Sequence, residues 1–271
     1  IIMKERLDIV LVDRGFAPSR EKAKTMIMEG NVFVKGNRED KAGTKIDVDA
    51  DIEIHGQQLK YVSRGGLKLE KAITHFNISL DGKICMDIGA STGGFTDVML
   101  KHGAKKVYAV DVGYGQIDWS LRHDERVVVM ERTNARNMQN DWFPDPVQFA
   151  TMDLSFISVK LILTPLYPLL TDGGEAVVLV KPQFEAGRGK VGKNGVVRSK
   201  ETHEEVFLET AGFCLDLGFN IAGMDYSPIT GPKGNIEFLL ALRKEQQTYT
   251  RELLASQIHD IVEMAHTEHG M

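Results

Sequence analysis

Apolar positions along the chain change period several times, and each change marks a predicted element. Leu7, Val10 and Leu11 recur at helical spacing, and Ala23, Met26 and Ile27 repeat that spacing after a break at Gly15 and Pro18. Ser19 is the predicted N-cap of the second helix and Gly30 its stop. The period then drops to two. "NVFVKGNR" alternates and turns at Lys35-Gly36-Asn37, and "DADIEIHG" alternates around Ile52 and Ile54. Two short helices and a hairpin therefore make a small α+β unit over residues 3–60.

A short joint leads into a helix whose apolar face is Leu69, Ala72, Ile73 and Phe76. From Lys83 onward, strand-like runs ("KICMDIG", "KVYAVDVG", "RVVVME", "PVQFATMDL", "AVVLVKP", "FNIAGMDYSP", "NIEFLLALR") are separated by longer stretches, several of them helical. This alternation predicts an α/β domain over residues 61–245, a mostly parallel sheet with helices on both faces. Ligands of such sheets sit beyond the carboxyl ends of the strands. Residues 246–271 read as an amphipathic C-terminal helix carrying Leu253, Leu254, Ile258, Ile261 and Val262, expected to pack on the main domain.

Composition narrows the function classes. A net charge of −5 over 271 residues argues against a wholly basic nucleic-acid coat and leaves local patches to decide. One such patch is early: Arg6, Arg14, Arg20, Lys22, Lys24, Lys35 and Arg38 precede the acids Asp47, Asp49, Asp51 and Glu53. Cys85 and Cys214 are the only cysteines, which predicts neither a disulfide framework nor a cysteine metal site and suits a reducing cytoplasm. No apolar stretch approaches the ~20 residues that span a bilayer, and the charged start "IIMKERLD" has no signal-peptide core. A cytoplasmic protein with no membrane and no metal is expected; oligomeric state is left open.

The most informative stretch is "DIGASTGGFTDVML", which follows the strand-like "KICM". Gly89, Gly93 and Gly94 do not fit the dinucleotide fingerprint, because Ser91 stands where its second glycine belongs, and the P-loop ending is also missing. What remains is a strand ending in Asp87, a glycine turn that lets a ligand approach backbone, and Asp111 ending the next strand. An acid there can accept both hydroxyl hydrogen bonds of a ribose. S-adenosylmethionine asks for this arrangement. Asp87 is expected near its amino-acid end, the turn Gly89, Ala90, Ser91, Thr92, Gly93, Gly94 and Phe95 under it, Asp111 on its ribose and Asn134 at its adenine, with Asp153 also within reach. The alternative is a tight turn of an α/β fold with no ligand.

Two resemblances sharpen this reading. The spacing of Ser19, Arg20, Ala23, Ile27, Gly30, Val32, Val34 and Gly36 resembles the S4 RNA-binding module, in which a helix and hairpin present cations to structured RNA. "VSRGGLKL", "DIGASTGGFTD", "MDLSFIS", "LVKPQFEAGRGKVGKNGVV" and "SPITGPKGNIEFL" resemble the haemolysin A (TlyA-type) ribosomal RNA methyltransferases, whose catalytic domain is similar to the FtsJ/RrmJ 2′-O-methyltransferases. The resemblance implies a Rossmann-like, S-adenosylmethionine-dependent domain acting on ribosomal RNA, by analogy at a cytidine ribose. It also implies a Lys-Asp-Lys-Glu catalytic tetrad at Lys68, Asp153, Lys181 and Glu237. Such an enzyme needs a group to orient a weakly acidic ribose hydroxyl and help remove its proton, and Lys181 is the candidate. RNA contacts are expected from Arg6, Arg20, Lys22, Lys24, Lys35 and Arg64, and from Arg188, Lys190 and Lys193 in a mobile basic loop over residues 187–200. Two other readings stay open: a non-catalytic RNA-binding or ribosome-assembly factor, and a pore-forming haemolysin, as the family name suggests.

Overall fold

A computed structural model describes residues 3–56 and 60–271 of the protein. The chain divides into two compact units, one ending at Lys60 and the other beginning at Tyr61.

The first unit runs β1 (Lys4–Arg6), α1 (Leu7–Asp13), α2 (Arg20–Met28), β2 (Val32–Val34), β3 (Asn37–Arg38), β4 (Lys45–Asp47) and β5 (Ile52–Ile54). Ser19 caps α2 as its position predicts, its Oγ accepting the Lys22 N–H at 3.3 Å. β2 pairs antiparallel with both β3 and β5, and β1 with β4. Leu7, Leu11, Ala23, Ile27 and Val32 are fully buried between the helices and these strands. One charged side chain joins that core: Asp8, buried, is held by Arg6 at 3.0 Å and Arg20 at 2.9 Å.

The second unit contains α3 (Gly66–His75), β6 (Ile84–Ile88), α4 (Gly94–Lys101), β7 (Lys106–Val110), α5 (Trp119–Arg122), β8 (Val127–Met130) and β9 (Val147–Met152). It continues with α6 (Lys160–Leu169), β10 (Leu170–Val180), α7 (Pro182–Glu185), α8 (Lys200–Leu217), β11 (Asn220–Tyr226), β12 (Phe238–Arg243) and α9 (Arg251–His269). The strands form one sheet in the order β11-β12-β10-β9-β6-β7-β8. β8, β7, β6, β9 and β10 pair in parallel; β12 runs antiparallel between β10 and β11. That reversal places the start of β12 at the same edge as the ends of β9 and β10.

The sheet is buried on both faces, so its central strands are mostly apolar rather than alternating. On one face Met86 and Val178 pack with Leu163 of α6, Phe207 of α8 and Ile258 of α9. On the other, Cys85 and Val177 pack with Leu69 of α3 and Met99 of α4. α9 thus contributes Leu254, Ile258 and Val262 to the larger core. From β6 the chain steps outward through β7 and β8, then returns to β9 on the other side of β6. The crevice at that reversal is where an open α/β sheet holds its ligand. Among the described residues, no helix is long and apolar enough to cross a membrane.

Candidate active site

The glycine turn lies at the carboxyl end of β6 beside that crevice. Gly89 adopts φ +80°, and a Cβ there would overlap the backbone carbonyl of Asp153, so glycine lets the ends of β6 and β9 approach. A Cβ on Gly94 would strike Ser63 Oγ, which packs the joint before α3 against the first turn of α4. Asp111 directly follows β7, and its two oxygens accept the Ser91 and Gly113 N–H groups, each at 2.7 Å. A carboxylate oxygen accepts more than one hydrogen bond, so both retain capacity for hydroxyl donors. Ala90, Ser91, Asp111, Gln116, Ile117 and Glu131 are among the residues lining a narrow cleft.

Not every predicted ligand contact faces this cleft. Asp87 is fully buried beneath the turn and accepts hydrogen bonds from Thr96 Oγ1 at 2.7 Å and Thr151 Oγ1 at 3.3 Å. Burial pushes its carboxyl up to about 7, against the pull of those hydroxyls. Phe95 turns into the core with Leu69 and Val98, and Asn134 spends its Oδ1 on the Arg136 N–H at 3.0 Å, capping a short 3₁₀ turn. Thr92 is exposed, and Gly93 takes the left-handed conformation that opens α4. Glu131, which directly follows β8 as Asp111 follows β7, stands in the cleft instead. Its place after an apolar run is a signal the sequence offers; Asn134 three residues later is the more conspicuous polar group.

Lys68, Asp153, Lys181 and Glu237 converge at the same edge of the sheet. Lys68 comes from the first turn of α3, Asp153 and Lys181 directly follow β9 and β10, and Glu237 directly precedes β12. Lys68 Nζ donates to Glu237 Oε2 at 2.6 Å, and Lys181 forms an ion pair with Asp153. Both lysines are 7% exposed and Glu237 is 0% exposed. Burial disfavours the Lys68 ammonium, but the charges of Asp153 and Glu237 outweigh it and raise its pKa. Lys68 is therefore cationic at neutral pH, and its sensitivity to Asp153 ties the two pairs into one electrostatic cluster.

Spacing in the sequence gives no sign of two further members. Gln183 Nε2 donates to Glu237 Oε1 at 3.2 Å, and Gly231 lies so close to that carboxylate that a Cβ would overlap it. Beside the cluster Phe156 is 90% exposed at φ +65°, a left-handed conformation rarely adopted by a bulky residue.

The basic segment over residues 187–200 is anchored at its valines. Val196 and Val197 are buried, the Val197 N–H donates to Asn235 Oδ1 at 3.1 Å, and Asn235 Nδ2 donates to the Gly195 carbonyl at 3.0 Å. The two valines at its end, outweighed in composition by Gly, Lys and Arg, supply the anchor. Arg188 and Lys193 are exposed; Lys190 is also exposed but pairs with Glu205. Arg64 is exposed as well. In the first unit Arg6 and Arg20 are committed to Asp8, while Lys24 and Lys35 reach Glu21 at 3.3 Å and Asp47 at 3.0 Å. Lys22 lies in the first turn of α2, where its N–H meets the cap.

Residues 61–244 match the FtsJ-like methyltransferase family. The chain belongs to that family. Residues 5–52 of this FtsJ-like methyltransferase also match the S4 domain. It is 53% identical over 265 residues to the Bacillus subtilis protein named "Putative rRNA methyltransferase YqxC", covering 97% of this chain and 94% of that one. It is 42% identical over 266 residues to the 16S/23S rRNA (cytidine-2′-O)-methyltransferase TlyA of Mycobacterium tuberculosis, covering 98% of each chain. A solved structure titled "Putative hemolysin from Streptococcus thermophilus" superposes with a TM-score of 0.78 at 48% identity, covering 99% of this chain and 98% of the other.

Proposed function

We propose that this FtsJ-like methyltransferase moves a methyl group from S-adenosylmethionine to the 2′-hydroxyl of a cytidine in ribosomal RNA, in the cytoplasm, with its S4 unit docking the RNA. The observation that carries the reading is the convergence of Lys68, Asp153, Lys181 and Glu237 at the sheet edge that also carries the glycine turn and Asp111.

The residues lining the cleft suit the donor. Asp111 and Glu131 are carboxylates at two adjacent strand ends, suited to ribose hydroxyls, and Ala90 and Ile117 line the same space with apolar surface. When bound, S-adenosylmethionine supplies an electrophilic methyl on a sulfonium. The chain's own residues do the rest. Lys181 orients the acceptor hydroxyl and relays its proton: the ammonium passes one proton to the paired Asp153 carboxylate and takes up the one the hydroxyl gives up. Lys68 is a fixed cation that balances Asp153 and Glu237, and Glu237 holds Lys68 in place. A largely buried cluster of two cations and two anions keeps its geometry because removing any one member leaves an uncompensated charge.

The test is methyl transfer from isotopically labelled S-adenosylmethionine to ribosomal RNA by purified protein. Lys181→Ala and Asp153→Ala should abolish transfer while calorimetric affinity for the donor stays within about threefold, since neither side chain lines the cleft. Turnover at the wild-type rate by either variant would remove that residue from the mechanism.

A further inference from the structure

Asp153 and Lys181 sit at the roots of two connections: residues 153–159, between β9 and α6, and α7 with its N-cap Lys181. These connections are tied together three times. Nearest the strands is the Asp153–Lys181 ion pair. Next, the rings of Phe156 and Phe184 lie 5.0 Å apart. Last, the Glu185 carboxylate accepts from Ser158 Oγ at 2.7 Å with Oε2 and from the Val159 N–H at 2.8 Å with Oε1. Val159 is the N-cap residue of α6 and its side chain cannot cap, so a carboxylate from another segment satisfies a donor otherwise left open. The α7 end of the tie is short and stiff, because the Phe184 and Glu185 N–H groups both return to the Lys181 carbonyl, at 2.9 and 3.2 Å.

We infer that Glu185 is a positioning residue for methyl transfer: by clamping Ser158 and Val159 it fixes the loop that carries Asp153 and the exposed Phe156 relative to Lys181. The loop needs such a clamp. Phe156 holds a left-handed backbone conformation that is unfavourable for a bulky residue and persists only where the surroundings over-determine it. The ring itself is 90% exposed and contributes little burial to that end. Glu185 touches none of the four charged groups of the cluster through its side chain, so its effect on chemistry runs through the loop.

This inference rests on the proposed methyl transfer, and the experiment separates the two. Glu185→Ala, Glu185→Gln, Ser158→Ala and the Glu185→Ala/Ser158→Ala double variant are assayed for methyl transfer to ribosomal RNA. Donor affinity is measured by calorimetry, and amide hydrogen exchange is followed over residues 153–160. Glu185→Ala should lower kcat/KM for RNA by roughly 10- to 100-fold with donor affinity within about threefold, and should speed exchange in that segment alone. Glu185→Gln should recover most of the rate, since its amide oxygen can accept from Val159 and its NH₂ can donate to Ser158 Oγ. In the Ser158→Ala background, Glu185→Ala should cost less than it does alone. A Glu185→Ala protein with wild-type rate and exchange overturns the inference, as does a loss of donor affinity in step with rate. If Glu185→Ala does not fold, Ser158→Ala decides, with a severalfold loss expected and an unchanged rate contradicting the clamp. If wild-type protein transfers no methyl group, the proposed function fails, and the exchange data alone decide whether Glu185 fixes the loop.

Discussion

Asp87 and Asp111 are both strand-end acids, and their environments give them different work. Asp87 is sealed under the glycine turn between Thr96 and Thr151, with burial raising its carboxyl to about 7, whereas Asp111 is half-buried in the cleft. A carboxyl whose folded pKa exceeds its unfolded value binds protons more tightly when folded. It therefore favours the fold at low pH, and stability is lost as pH rises from about 4 to about 7. Asp87→Asn keeps the two threonine contacts and should remove that slope, a difference on the order of a few kcal/mol at neutral pH. Denaturant melts across that range would check it, and equal slopes for variant and wild type would count against a buried ionisable Asp87. Asp111→Ala should instead weaken donor binding by ~1.5–3 kcal/mol in calorimetry, with little change in melting temperature.

At the scale of elements, periodicity in the sequence was informative wherever burial was one-sided or complete. The two helices and hairpin of the first unit, the strand-helix alternation of the second and the apolar stripe of α9 all follow from spacing. Packing and hydrogen bonding by loops were legible only in part. Phe95 reads as a turn residue but is drawn into the core by α4, Asn134 is consumed by a local cap, and the valines ending the basic segment are buried. Gln183 and Glu185 carry no signal, because their partners lie 54 residues and 26 to 27 residues away in sequence. The clustering of Lys68, Asp153, Lys181 and Glu237 is legible through family resemblance and not through spacing: Lys68 and Glu237 are 169 residues apart. α9 offers a direct check on packing. Leu254 is 0% exposed in the larger core, and Leu254→Ala should destabilise the second unit by about 2–5 kcal/mol in denaturant melts. The first unit carries a different sensitivity. Hydrogen bonds from two arginines hold the buried Asp8 carboxyl down to about 2, so the stability it contributes is present above about pH 4 and lost as pH falls towards 2. Arg20→Glu should melt this unit earlier than Lys24→Glu, whose partner Glu21 is largely exposed.

For the whole molecule, two units with separate cores allow the proposed tasks to be separated, RNA docking in the first and chemistry in the second. Because Arg6 and Arg20 are partly spent on Asp8, reversal of Lys24 and Lys35 is the cleaner probe of docking. Removing residues 3–60 should weaken RNA binding and flatten its salt dependence, while donor binding survives. Each phosphate that is no longer neutralised should reduce the slope of log affinity against log salt by ~0.7–0.9. The same affinity and slope in the truncated protein and wild type would move docking to the segment around Arg188 and Lys193. The central claim, methyl transfer to a ribose, is tested most directly by mass spectrometry of nucleosides from ribosomal RNA treated with wild-type protein or with Lys181→Ala. The account predicts 2′-O-methylcytidine with wild type and none with the variant; a methyl group on a base, or RNA left unmodified by wild-type protein, would contradict it.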